Sequence, residues 1–182
     1  MLTNTYRRRL HERALDQYGY ITTRDAADLG IPAVEVRKVA ARGGLTHVGR
    51  GVFRFDDIPR NGLEPFMEAV LRVGEGAYLT ADAVLSLHNL GLANPRRIRV
   101  GTPGRMRAEL PPPIEVVQKH VKPEDLTEYE GIPATTIATA IRDARGLIMR
   151  ERLLDAAREA MRRGLMLRRE GEQVINELEA GT

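Results

Sequence analysis

The chain has no cysteine, no tryptophan, a single serine, and only five tyrosines and three phenylalanines among its 182 residues. Without cysteine there are no disulfides, no thiolate metal sites and no thiol nucleophile, which agrees with a cytoplasmic location. The scarcity of aromatic rings leaves little to stack on unpaired bases, so duplex rather than single-stranded nucleic acid is the expected target. No apolar run is long enough to span a bilayer, and Met1-Leu2-Thr3-Asn4-Thr5-Tyr6 lacks the apolar core of a signal peptide, so no membrane partner is expected.

The residues that enzymes need are equally thin. The one serine, Ser86, sits among Val84, Leu85 and Leu87 with no nucleophile elbow around it. The four histidines, His11, His47, His88 and His120, are far apart and form no His-x-x-x-His pair; His88 is expected to pack inside a helical segment rather than to bind metal. The acidic residues Glu115, Glu124, Asp125, Glu128 and Glu130 have no lysine two positions on, as a metal-dependent nuclease would place it. Gly74-Glu75-Gly76 and Gly101-Thr102-Pro103-Gly104-Arg105 lack the lysine and hydroxyl of a P-loop and read as chain reversals. The expectation is a protein that is not an enzyme and uses neither cofactor nor metal.

What is present is a globular composition, 42% hydrophobic, with a formal net charge of +3. The excess is uneven: residues 1–60 hold 11 Lys and Arg against 7 Asp and Glu, a net of +4, while the remainder is slightly acidic. A module that meets phosphate is therefore expected at the N-terminal end.

The most telling stretch runs from Gly19 to Phe55. In Thr22-Thr23-Arg24-Asp25 a threonine can cap a short helix that runs to Leu29 and ends at Gly30. Ile31-Pro32-Ala33 restarts a helix whose apolar positions Val36, Val39 and Ala40 fall on one face. Its other face carries Arg37, Lys38, Ala41 and Arg42, and Gly43-Gly44 stops it. Leu45–Val48 and Val52–Phe55 are β-prone runs joined by Gly49-Arg50-Gly51, with Phe53 and Phe55 packing the hairpin on the helices. This order is that of a winged helix-turn-helix, a device for laying one helix into a DNA groove.

On that reading Arg37 and Lys38 face base edges, with Arg42 and the Thr23 cap beside neighbouring Arg24 at phosphate. Arg50 and Arg54 lie along the minor groove or backbone, and His47 either touches phosphate from the wing or is a solvated strand residue. The run Arg7-Arg8-Arg9, in a first helix over residues 6–17, is either a solvated helix start or a phosphate-contacting arm. Tyr20-Ile21-Thr22 can add a short strand to the wing.

Asp56–Gly62 has the composition of a linker, dividing a winged domain at residues 1–60 from a domain at 61–182. The second half shows helices at about Glu64–Val73 and Thr80–Asn89, strands at Arg96–Thr102 and Ile114–Lys119, an extended connector at Pro111-Pro112-Pro113, and helices near Ile137–Ala144, Glu151–Arg163 and Arg168–Leu178. The fold class is α+β: an N-terminal winged helix-turn-helix followed by a mixed α+β domain ending in helices. The apolar face of the last helices packs on that second domain or receives a partner.

Two segments carry a family resemblance. Tyr18-Gly19-Tyr20-Ile21-Thr22-Thr23 with Ala27, Leu29 and Gly30, followed by Val36, Ala41-Arg42-Gly43-Gly44-Leu45 and Val48-Gly49-Arg50-Gly51-Val52-Phe53, resembles the N-terminal domain of the AbiEi antitoxin family. Tyr78-Leu79-Thr80, Ala83, Leu87-His88-Asn89-Leu90-Gly91-Leu92 and Asn94-Pro95 resemble the segment that follows it. The resemblance implies a transcriptional regulator that binds double-stranded promoter DNA, represses its own operon and counteracts a cognate nucleotidyltransferase-type toxin, with self-association on DNA as a further arrangement. Thr135-Thr136-Ile137-Ala138-Thr139-Ala140 lacks the proline and arginine of the corresponding family pattern. Alternatives are a winged-helix protein-interaction module, a regulator that is not an antitoxin and, last, a nuclease acting on DNA.

Overall fold

The computed structural model describes residues 2–104, 110–111 and 113–181, the side chains of residues 2–4 excepted. Arg105 and Pro112, which belong to two of the loops expected above, lie outside them. The chain forms two compact units, Met1–Gly74 and Glu75–Thr182.

The first unit contains helix α1 (Leu2–Leu15), strand β1 (Tyr20–Thr22), helices α2 (Thr23–Asp28) and α3 (Ala33–Ala41), strands β2 (Leu45–Gly49) and β3 (Val52–Phe55), and helix α4 (Glu64–Val73). The strands form one antiparallel sheet in the order β1-β3-β2, with Ile21 opposite Phe53 and Leu45 opposite Phe55. One apolar cluster joins sheet and helices: Leu10 and Ala14 from α1, Ala26 from α2, Ile31 from the turn after it, Val36 and Val39 from α3, and Leu45, Phe53, Phe55 and Ile58. Burying a side chain of this size contributes about 1.5–3 kcal/mol, and α3, with only nine residues, holds its helical form by this packing rather than by propensity.

Helix α4 belongs to this unit, so the division falls after Gly74 rather than at the linker-like segment ahead of α4. The reason is polar as well as apolar. Tyr20 donates its hydroxyl proton to Glu68 at 2.6 Å, Glu68 accepts from Arg72 at 2.7 Å, and the Arg72 guanidinium donates to the Val48 carbonyl. The Glu64 carboxylate accepts from the backbone N–H groups of Asn61 and, at 2.9 Å, Gly62, which turns the linker-like segment into a fixed bend. Burial pushes the Glu64 carboxyl upward, but these N–H groups and the Arg54 charge outweigh it and hold the group below the usual carboxylate range.

The second unit is a five-stranded mixed sheet with helices. Strands β4 (Tyr78–Leu79), β5 (Ile98–Thr102), β6 (Ile114–Gln118), β7 (Leu126–Tyr129) and β8 (Ile132–Thr135) lie in the order β6-β5-β4-β8-β7. β5–β6 and β4–β8 run parallel; β4–β5 and β7–β8 run antiparallel. Helices α5 (Asp82–Leu87), α6 (Ile137–Asp143), α7 (Arg150–Arg162) and α8 (Arg168–Ala180) complete it. Leu153, Ala156, Ala157 and Ala160 of α7 and Val174 and Leu178 of α8 are buried, so the apolar face of the last helices is spent on this unit's own core. Arg142 pairs with Glu177 at 2.7 Å, joining α6 to α8. The protein is thus an α+β chain, and among the described residues no helix is long and apolar enough to cross a membrane.

Candidate nucleic-acid interface

The helix pair α2–α3 is set by a reciprocal cap. The Thr22 hydroxyl accepts from the Asp25 backbone N–H at 3.0 Å while the Asp25 carboxylate accepts from the Thr22 N–H at 2.8 Å. The same carboxylate accepts from Arg13 of α1 at 3.3 Å and from Gln17 at 3.2 Å, so a buried aspartate fixes α2 against α1. The capping residue is Thr22 and not Thr23, which corrects the sequence expectation. Thr23 is the first residue of α2, and its backbone N–H donates to the Gly51 carbonyl of the wing turn at 2.9 Å.

Helix α3 opens after Pro32, whose φ of −60° and ψ of 142° set the entry, and closes at Arg42. Gly43 and Gly44 then adopt φ of 89° and 80°, the left-handed region that glycine enters without a Cβ penalty. Val36 and Val39 point inward, and Val34, Arg37, Lys38, Ala41 and Arg42 are exposed. Lys38 is tied to Glu35 at 2.7 Å, which partly offsets its charge. Arg37 and Arg42 have no side-chain partner among the described residues and project from α3 as unpaired cations.

The hairpin β2–β3 turns through Arg50 and Gly51, with Gly51 at a φ of 69°. Arg50 is exposed at this turn and also unpartnered among the described residues. His47 is exposed on β2 with its ring against Phe53, centroids 5.0 Å apart. Arg24 is exposed at the start of α2.

Arg54 does not belong to this surface. It is 5% exposed, donates to the carbonyls of Phe55 at 3.0 Å and Ile58 at 2.8 Å, and lies 5.8 Å from the centroid of the Tyr20 ring. β3 is the central strand, flanked on both edges, and the chain beyond it folds back so that two carbonyls accept from the terminal guanidinium nitrogens. It is a structural cation, and its expected place on the wing is withdrawn.

The Arg7-Arg8-Arg9 run is likewise divided by the helix it sits on. Arg7 donates to the Gly43 carbonyl at 3.2 Å and lies over the Phe55 ring at 5.3 Å; Arg9 donates to the Leu29 carbonyl at 2.7 Å. Each satisfies a carbonyl left open at a helix C-terminus, one after α3 and one after α2. Arg8 alone is exposed, with Glu12 one turn on at 3.7 Å. The run is therefore mainly a brace for α2 and α3, with one outward cation.

Three groups escaped the sequence reading. Asp25 was legible as the fourth residue of a Thr-x-x-Asp cap, but its two extra donors from the α1 side were not. The Arg72 clamp on Val48 and the Tyr20–Glu68 bond depend on where α4 docks, for which the sequence holds no signal.

Helices α1 to α3 on a three-stranded sheet, with an outward basic helix and a glycine-built hairpin, have the arrangement of a winged helix-turn-helix. Residues 8–55 match the family described as "Transcriptional regulator, AbiEi antitoxin", so the resemblance noted in the sequence holds for the N-terminal region. The match runs from within α1 to the end of β3 and includes the cap, the double-glycine stop and the wing. No curated protein matches the chain. Among solved structures, the crystal structure of the RV2827C protein from Mycobacterium tuberculosis is similar at 16% identity and a TM-score of 0.41, over 94% of this chain and 81% of that one.

Proposed function

We propose that the protein is a DNA-binding antitoxin that represses its own operon and counteracts a nucleotidyltransferase-type toxin. Helix α3 enters the major groove of promoter DNA, with Arg37 and Lys38 toward base edges and Arg42 toward phosphate. The wing sets Arg50 against the adjacent backbone or minor groove, and Arg24, Thr23, His47 and Arg8 lie at the flanks. The single observation that supports this reading is the exposure of Arg37, Arg42 and Arg50 without side-chain partners, on the helix and turn that a winged helix presents to a duplex. A protein that kept these residues for folding would have paired them, as it has paired Arg7, Arg9 and Arg54.

The match over residues 8–55 supports the regulatory half of the reading. The antitoxin half rests on the family resemblance and assigns the second unit to the toxin or to the spacing of copies on DNA. The test is a mobility-shift titration of the full chain against duplex from upstream of its own gene, beside co-expression with a neighbouring nucleotidyltransferase gene. A salt-sensitive shift and rescue of growth are expected. A shift without rescue leaves a regulator that is no antitoxin, and a stable protein complex with no shift at any salt makes the winged unit a protein-docking module.

A further inference from the structure

Val34 stands at the second position of α3 and is 51% exposed, whereas the two other valines of that helix, Val36 and Val39, are buried. Residues spaced by three and four share a helix face, which puts Val34 in line with Arg37, Lys38 and Ala41. All four are exposed. The packing of the unit makes little use of the Val34 isopropyl group, and a β-branched residue is no aid to a surface helix. The other large apolar side chain exposed among the described residues of this unit, Leu15, lies at the C-terminal end of α1, off the helix proposed to enter the groove.

Val34 shares its face with cations, and the neighbouring Glu35 is tied to Lys38. Val34 lies beside the unpaired Arg37, on the helix that ends in the unpaired Arg42, and it occupies the N-terminal end of α3, the part of a recognition helix that meets base edges. Cations that reach phosphate hold a duplex without reading it. An apolar group in the major groove has one distinctive partner, the C5 methyl of thymine.

We infer that Val34 is a specificity-determining residue that reads a thymine methyl, one helical turn from the base edge met by Arg37. The inference rests on the DNA-binding reading above and adds to it the base that α3 selects. Docking buries the isopropyl group and the methyl together, so the discrimination is the removal of one methyl from a shared apolar surface.

The test uses the full chain to enrich duplexes from a randomised pool, and then replaces each thymine of the enriched site by deoxyuridine, which removes the methyl and leaves the hydrogen-bonding edge intact. One position is expected at which the replacement weakens binding about fourfold, the equivalent of ~0.8 kcal/mol for one buried carbon. Val34→Ser, a change at an exposed position that removes both methyl groups, is expected still to bind duplex and to lose that difference. An enriched site without thymine, uniform tolerance of deoxyuridine, or unchanged sensitivity in Val34→Ser overturns the assignment while DNA binding stands. If no duplex is enriched at low salt, the DNA-binding reading falls and this assignment falls with it.

Discussion

The backbone N–H of Thr23 donates to the carbonyl of Gly51 at 2.9 Å, so the first turn of α2 and the turn of the wing are held by one hydrogen bond. Gly51 has a φ of 69°, and a Cβ placed there would lie 2.9 Å from the Thr23 hydroxyl oxygen. The bond and the bare backbone together fix where Arg50 projects relative to the helix pair.

Gly51→Ala is therefore expected to lower stability by about 1–2 kcal/mol, the cost of a left-handed non-glycine residue, and to weaken duplex binding further by displacing Arg50. Urea denaturation and a titration of the same variant check both. Unchanged stability would show that the wing turn has another conformation open to it.

Asp25 receives the Thr22 N–H, Arg13 and Gln17 on one buried carboxylate. Asp25→Ala removes the reciprocal cap and leaves these donors unpaired, an expected loss of about 2 kcal/mol or more. A denaturation midpoint within error of the parent would contradict the anchoring role.

Arg54 and Arg42 form a matched pair of opposites. Arg54→Ala empties a buried site and leaves two carbonyls without their donor, so it lowers the melting temperature, while the salt dependence of duplex binding by the folded fraction stays as in the parent. Arg42→Ala leaves the melting temperature nearly unchanged and reduces the salt slope by about one.

Much of this first unit was legible in the sequence because its signals are local. Gly30, Gly43-Gly44 and Gly51 each mark a backbone reversal that only its neighbours decide, and all have positive φ. The three-residue spacing of Val36 and Val39 set the inward face of α3. Arg54 was misplaced because its fate depends on a central strand and on a return of the chain to Ile58, neither of which spacing along a strand encodes. Arg7 and Arg9 were ambiguous for the same reason: the carbonyls they satisfy lie 36 and 20 residues away. In the second unit the helices near residues 137, 151 and 168 were clear, but the short strands Tyr78–Leu79 and Leu126–Tyr129 were not, since two to four residues carry too little alternation to register.

His88 of the second unit is buried, with its ring 4.1 Å from that of Tyr129. Burial, with the Arg163 charge beside it, pushes its pKa down from 6.5 to about 4. The folded protein therefore keeps His88 neutral where the unfolded chain takes up a proton. Its contribution to stability is complete above pH 6.5 and is lost as pH falls from there toward 4. Melting temperature is expected to fall between about pH 6.5 and pH 5, and the fall is expected to be smaller in His88→Gln. Equal slopes in the two proteins would place the pH sensitivity elsewhere.

The most direct measurement is the salt dependence of duplex binding by the parent and by an Arg37→Ala, Arg42→Ala, Arg50→Ala triple variant whose denaturation curve matches the parent's. A plot of log affinity against log salt is expected to be steep for the parent and shallower by about two for the variant, one counterion for each phosphate left without Arg42 or Arg50, with the lost Arg37 base contact lowering affinity at every salt. Equal slopes, or a parent that binds no duplex at low salt, would contradict the account.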